Sequence, residues 1–172
     1  MKHSIIEIKA KCDKHQEARN IFKEKGADFE GLDHQIDTYF KVNTGRLKLR
    51  EGNIENFLVF YERENKLGPK KSKALLYKSS PDSVLKQILI DSLGILTVVD
   101  KKREIYFIDN IKFHLDNVEG LGSFMEIEAI DKDGSIGEEK LLEQCQLYLK
   151  LFNISSDNLV SCSYSDLILE KQ

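Results

Sequence analysis

"FHLDNVEGLGSFMEIEA", residues 113–129, reads as two extended runs around a glycine turn. Side chains two apart in a strand point to the same face. Glu126 and Glu128 therefore share one face, with Phe124, Met125 and Ile127 filling in around them, and Asp116 stands on the run before the turn. A half-buried strand normally sets apolar residues on one face and mixed polar residues on the other. Here one face repeats carboxylates.

The flanking sequence continues the extended theme. "IKFHLD" (111–116) follows "LTVVDKKREIYFI" (96–108) across an Asp-Asn hairpin turn. Near the N-terminus, "SIIEIKAKC" (4–12) alternates strictly, with Ile6, Ile8 and Ala10 on one face and Glu7, Lys9 and Lys11 on the other. "HQIDTYFKV" (34–42), "RLKLRE" (46–51), "NFLVFYER" (56–63) and "ALLYKSS" (74–80) are further strands, with "ENKLGPKKSK" (64–73) a polar loop. Helical spacing appears three times. Residues 13–25 carry Ala18, Ile21 and Phe22 as a stripe ended by Gly26, residues 80–94 open at Pro81 and end at Gly94, and residues 137–154 are amphipathic. No linker, repeat or low-complexity segment interrupts the pattern. The expectation is a single α+β domain over residues 1–172, dominated by antiparallel strands.

The strands share a charged face. Arg46, Lys48 and Arg50 lie opposite Leu47 and Leu49, Arg63 ends its strand, Lys101 and Arg103 share a face, and so do Lys112, His114 and Asp116. A sheet that buries its apolar faces must send these charges to one other surface, either a wet exterior or the inside of a barrel. A site using both signs suits a polyphosphate: Arg and Lys take phosphate oxygens, and carboxylates hold Mg²⁺ or Mn²⁺, which bridges those oxygens. Asp116, Glu126 and Glu128 then form a metal corner facing a basic wall.

Bulk properties exclude other classes. With 172 residues, 41% hydrophobic and 32% charged, the composition is that of a soluble globular protein. A net charge of −3 gives no bulk attraction to nucleic acid. No apolar run approaches the roughly 20 residues of a membrane helix, and the N-terminus lacks a secretion signal. Cys12, Cys145 and Cys162 are odd in number and scattered, which indicates neither a disulfide framework nor a zinc site and makes a reducing cytoplasm the default. Neither a Walker-type loop nor a Ser/His/Asp arrangement is present.

Taken in order, "IEIKAK" (6–11), "HQIDTYF" (34–40), "GRLKLRE" (45–51), "VFYER" (59–63), "GPKKS" (68–72), "VDKKREIYF" (99–107), residues 113–129 and "SYSDLI" (163–168) resemble the CYTH superfamily of triphosphate tunnel enzymes, in the version labelled class IV adenylate cyclase. The resemblance implies an eight-stranded antiparallel β-barrel, a tunnel with helices packed outside. It makes Glu7 and Lys9 the second Glu and the Lys of the ExExK motif. Lys9, Lys48, Arg50, Arg63, Lys101 and Arg103 become phosphate-binding cations, Glu7, Asp116, Glu126 and Glu128 ligands of Mg²⁺ or Mn²⁺, and Glu7, Lys9 and Glu126 the catalytic residues. The first Glu of the motif falls at Ile5, which leaves one metal site as the expectation.

The implied partner is a small-molecule triphosphate, with ATP cyclisation to cyclic AMP and pyrophosphate leading. Thiamine triphosphate or inorganic tripolyphosphate hydrolysis is the alternative, and a non-catalytic triphosphate-binding domain the third reading. A cytoplasmic monomer or homodimer with no nucleic-acid or membrane partner is expected. Arg46 is a candidate for the tunnel mouth, Lys70 and Ser72 for closing over the substrate. Tyr164 is read as packing the C-terminal segment onto the barrel, and His114 as a packed or hydrogen-bonded histidine rather than a ligand.

Overall fold

The computed structural model describes residues 4–63 and 65–172. Its elements are β1 (Ser4–Lys11), α1 (His15–Glu24), β2 (Asp28–Phe40), β3 (Arg46–Glu51), β4 (Phe57–Arg63), β5 (Lys70–Lys78), α2 (Leu85–Leu93), β6 (Ile95–Ile108), β7 (Ile111–Val118), β8 (Gly122–Asp131), α3 (Glu138–Leu151), a 3₁₀ turn at Ser156–Asn158 and α4 (Tyr164–Glu170). The strands close into one antiparallel barrel in the order β1-β5-β4-β3-β2-β6-β7-β8. Closure removes the free edges that an open sheet would expose. The expected eight-stranded barrel is what forms.

Alternation decides what lies on each side. Outside, Ile6, Ile8, Phe113, Met125 and Ile127 are covered by Ala18 and Phe22 of α1 and by Leu141 and Cys145 of α3. Phe22 stacks on Tyr106 at 4.2 Å between ring centroids and tilts against Phe113 at 5.1 Å. Inside, Val99, Val118 and Phe124 meet Val160 and Tyr164 of the C-terminal segment, which forms part of the interior wall. That segment is tied down by main chain: Val160 N donates to Lys9 O, and Lys70 Nζ donates to the carbonyls of Val160 and Ser161. Ser163 and Asp166 cap α4 reciprocally.

Four local expectations differ from the structure. β2 begins at Asp28 rather than His34, because pairing with β6 recruits the polar stretch 28–33 through a register shift at Phe29/Gly31. β5 begins at Lys70 inside the stretch expected to be loop, since Lys70–Ser72 pair with Ile5–Glu7 of β1. α2 starts at Leu85, after a turn in which Asp82 takes φ 57°. α4 was not anticipated: its seven residues are too few for a periodic signal, and packing and the cap sustain it. Among the described residues no helix is long and apolar enough to cross a membrane. The three cysteines are free.

Phe113 is fully buried at the junction of α1, α3 and the barrel, with edge contacts to Tyr148 and Phe152. Phe113→Ala should cost about 3–5 kcal/mol, read as a lowered denaturant midpoint with an unchanged slope.

Candidate active site

The barrel encloses a cavity of about 290 Å³. Among the described residues its lining holds seven cations, Lys9, Lys48, Arg50, Arg63, Lys101, Arg103 and Lys112, and five carboxylates, Glu7, Asp37, Glu55, Glu126 and Glu128. Cross-strand register sets opposite charges side by side. Lys9 lies beside Glu126, which lies beside His114; Glu7 lies beside Glu128, which lies beside Lys112. Asp37 faces Arg50 and Arg103 faces Asp116.

Asp37 is the hub of one network and was not singled out from sequence. Its buried carboxylate accepts from Arg50 Nε and Nη2 at 2.9 Å each, Lys48 Nζ at 3.0 Å and Lys101 Nζ at 2.8 Å. Burial opposes its charge, but Arg50, Lys101 and Lys48 together hold it well below the usual carboxylate range. Three cations share this one anion, so burial brings Lys101 down to about 7 despite Asp37. The signal for Asp37 was present in the alternation of "HQIDTYF", where Gln35, Asp37 and Tyr39 share the inward face.

Glu55 had no such signal, because it lies in the loop between β3 and β4. Asp33, fully buried, accepts from Ile54 N at 2.9 Å and Glu55 N at 3.0 Å and so fixes that loop. Gly52 allows the approach: a Cβ there would stand 2.6 Å from Asp33 Oδ1. Thus held, Glu55 accepts from Arg50 Nη1 at 2.9 Å and from Lys112 Nζ.

Glu126 is the hub of the second network. Lys9 Nζ lies 3.3 Å from one oxygen, Arg103 Nη2 and His114 Nδ1 lie 3.5 and 3.3 Å from the other, and Lys9 also sits 3.8 Å over the Tyr164 ring. Asp116 reaches the same interior, but its oxygens are taken. Arg103 Nε and Nη2 donate to them at 2.7 Å each, and the Tyr164 hydroxyl adds a third bond at 2.7 Å. Among the described residues, the group whose ligand atoms lie within 4.8 Å of one another is instead His114, Glu126 and Glu128. Glu7 stands apart from it, paired with Arg63.

Two frustrated groups stand out. Among the described residues, Arg63 Nε and Nη2 are buried with no partner, and so is His114 Nε2. A neutral imidazole has one donor and one acceptor nitrogen. With the proton on Nδ1, Nε2 is a bare buried acceptor. With it on Nε2, the Nδ1 lone pair faces the carboxylates of Glu126 and Glu128, 3.3 and 3.8 Å away. Burial, reinforced by Arg103, lowers the imidazole to about 4. His114, read as a packed histidine, is thus placed among the acidic groups. Arg46 pairs with Asp166 at 2.7 Å, away from the main cavity; Lys70 is held by carbonyls, while Ser72 does line the cavity.

The CYTH domain model matches residues 4–164. The chain belongs to the CYTH domain family. A Methanocaldococcus jannaschii protein, MJ0240, whose name marks it as a candidate adenylate cyclase, is 32% identical over 177 residues, covering 94% of this chain and 97% of its own. Among solved structures, the PH1012 protein of Pyrococcus horikoshii superposes with a TM-score of 0.76 at 21% identity, covering 97% of this chain and 99% of that one. HpAC1 of Hippeastrum, described as a candidate adenylyl cyclase with a dominant triphosphatase activity, gives 0.64 at 14% identity, covering 100% and 97%. These likenesses fix the CYTH fold. The ionic layout of this CYTH chain rests on its own side chains.

Glu128 carries a testable consequence. Burial raises its carboxyl to about 7, with Glu126 and Glu7 acting in the same direction against Lys112. Between the ordinary Glu value and 7 the folded state holds a proton that the unfolded state has lost, so stability falls as pH rises through this window. Glu128→Gln removes the ionisation. In metal-free protein it should raise the melting temperature at pH 8, by an amount corresponding to on the order of 3 kcal/mol, with the gap closing toward pH 5. Scanning calorimetry of both proteins across that range checks the sign.

Proposed function

We propose that this CYTH chain is a metal-dependent enzyme acting on a triphosphate within the barrel, with ATP cyclisation as the leading reaction. One observation carries it. The cavity wall holds more cations than carboxylates, and Arg63, beside Glu7, keeps two buried donors unpaired among the described residues. A polyanion with several oxygens is the ligand class that satisfies both. Lys9, Lys48, Arg50, Arg63, Lys101 and Arg103 are assigned to its phosphates, where the guanidinium forks supply paired donors.

The donor set also fits a divalent cation. His114, Glu126 and Glu128 would hold it, with Nδ1, the imidazole nitrogen nearest both carboxylates, as the nitrogen donor, and the repulsion within the carboxylate pair is what such an ion relieves. When bound, it supplies positive charge to phosphate oxygens. Glu7, cross-strand from Glu128, is assigned to its periphery. Asp116 is assigned to holding Arg103 in place rather than to the ion.

In the cyclase reading the ribose 3′ oxygen attacks the α-phosphorus, the bond from that phosphorus to the bridging oxygen breaks, and pyrophosphate leaves. Glu7 or Glu126 accepts the hydroxyl proton, Lys9 donates to the oxygens that gain charge, and the cations around Asp37 take the leaving group. Positioning and charge neutralisation supply most of such catalysis. The relationship to MJ0240 favours this reading. Hydrolysis of the terminal phosphate by water is the second reading, favoured by the description of HpAC1.

Incubation with ATP, thiamine triphosphate and tripolyphosphate in Mg²⁺ or Mn²⁺, scoring cyclic AMP and phosphate separately, decides between them. Cyclic AMP with pyrophosphate is expected; phosphate release alone would transfer the assignment to the hydrolase, and no product from any of the three would leave a binding domain. Arg63→Gln should weaken triphosphate binding by roughly 1–3 kcal/mol without unfolding the chain, because Glu7 keeps access to the cavity. Unchanged affinity would remove Arg63 from the phosphate site.

A further inference from the structure

One side of the cavity differs from the rest. On β1 the inward side chains are Lys9, Glu7 and then Ile5. Ile5 pairs with Ser72 of β5; farther along β5 come Ala74 and Leu76, and Leu76 is cross-strand from Val59 of β4. Phe57 shares the inward face with Val59. An uncharged, mainly apolar surface thus runs from β1 across β5 to β4. Leu76 is 50% exposed and Ile5 and Phe57 are half-buried, so this surface reaches the mouth of the barrel.

Charge borders it on both sides. Glu7 and Arg63 lie at one margin; Lys48 and Arg50, cross-strand from Val59 and Phe57, lie at the other. Apolar area left wet costs about 25 cal/mol per Å² relative to covering it. Inorganic tripolyphosphate has no apolar surface with which to cover it. A nucleotide has a flat one, attached to the phosphates that the bordering cations would hold. None of Ile5, Val59, Ala74, Leu76 and Phe57 offers a carboxylate to a cationic ring such as thiazolium.

We infer that Ile5, Phe57, Val59, Ala74 and Leu76 form a subsite for the planar, uncharged base of a nucleoside triphosphate. The inference rests on the triphosphate reading above and adds where the organic end goes. It also gives Ile5 a role: a carboxylate at this position would charge the surface at its β1 end, whereas isoleucine extends it.

Calorimetric titration of metal-free protein in EDTA with ATP, tripolyphosphate and thiamine triphosphate tests it. Tripolyphosphate carries the greater charge, so electrostatics alone would favour it. ATP should nevertheless bind about tenfold more tightly, the effect of burying one face of a base. Ile5→Ser and Leu76→Ser should each weaken ATP by about fivefold and leave tripolyphosphate binding unchanged, which also shows that each variant is folded. ATP no tighter than tripolyphosphate, equal losses for both ligands, or thiamine triphosphate tighter than ATP would each overturn the subsite while leaving the phosphate site standing. Failure of tripolyphosphate itself to bind wild-type protein would overturn the triphosphate reading and the subsite together.

Discussion

Charge pairing inside a closed barrel is the constraint on which this structure depends. Moving an ion out of water costs several kcal/mol even after relaxation, and attraction to a partner repays it only with good geometry and further hydrogen bonds. The interior meets that demand with shared anions. Asp37 is held by Lys48, Arg50 and Lys101, and Glu126 by Lys9, Arg103 and His114. Asp116 and Tyr164 orient Arg103 from behind. The cations are therefore already positioned, and an anion entering the barrel would compete for them with carboxylates rather than with bulk water.

Such an interior requires a single register. A one-residue slip of any strand would turn its charges outward under the helices and its apolar residues inward. The outer core guards against this, because α1 and α3 pack on the faces of Ile6, Ile8, Phe113, Met125 and Ile127 that alternate with the charged ones. The C-terminal segment adds a second lock, through Val160 to Lys9 and Tyr164 to Asp116. Stability and site geometry are thus two consequences of one alternation. Within the lining of the cavity, the apolar surface around Ile5 departs from the charged pattern, and it is this departure on which the proposed base subsite rests.

Period-two alternation made most of the charged lining legible in the chain. Glu7 and Lys9, Lys48 and Arg50, Lys101 and Arg103, and Glu126 and Glu128 each announce a shared face by their spacing alone, and all eight line the cavity. The long helices were legible in the same way. Three things were not. The stretch 70–73 reads as loop because its strand character comes from pairing with β1 and β4. Glu55 has no periodicity, since a loop anchored on Asp33 presents it. His114 could be assigned to a face but not to an environment, because its neighbours Glu126 and Glu128 come from another strand.

The sequence by itself determined which side chains share a face, and hence that the charges gather on one surface and the apolar residues on another. This follows from backbone geometry, which fixes side-chain direction locally. Tertiary structure alone decided which charges meet. Asp37 became the anchor of three cations from two strands, Asp116 was tied to Arg103 and Tyr164, and His114 was brought against Glu126 and Glu128. These partnerships depend on strand order, shear and closure, which bring together residues as far apart as Asp37 and Lys101. Local spacing carries no information about such distances.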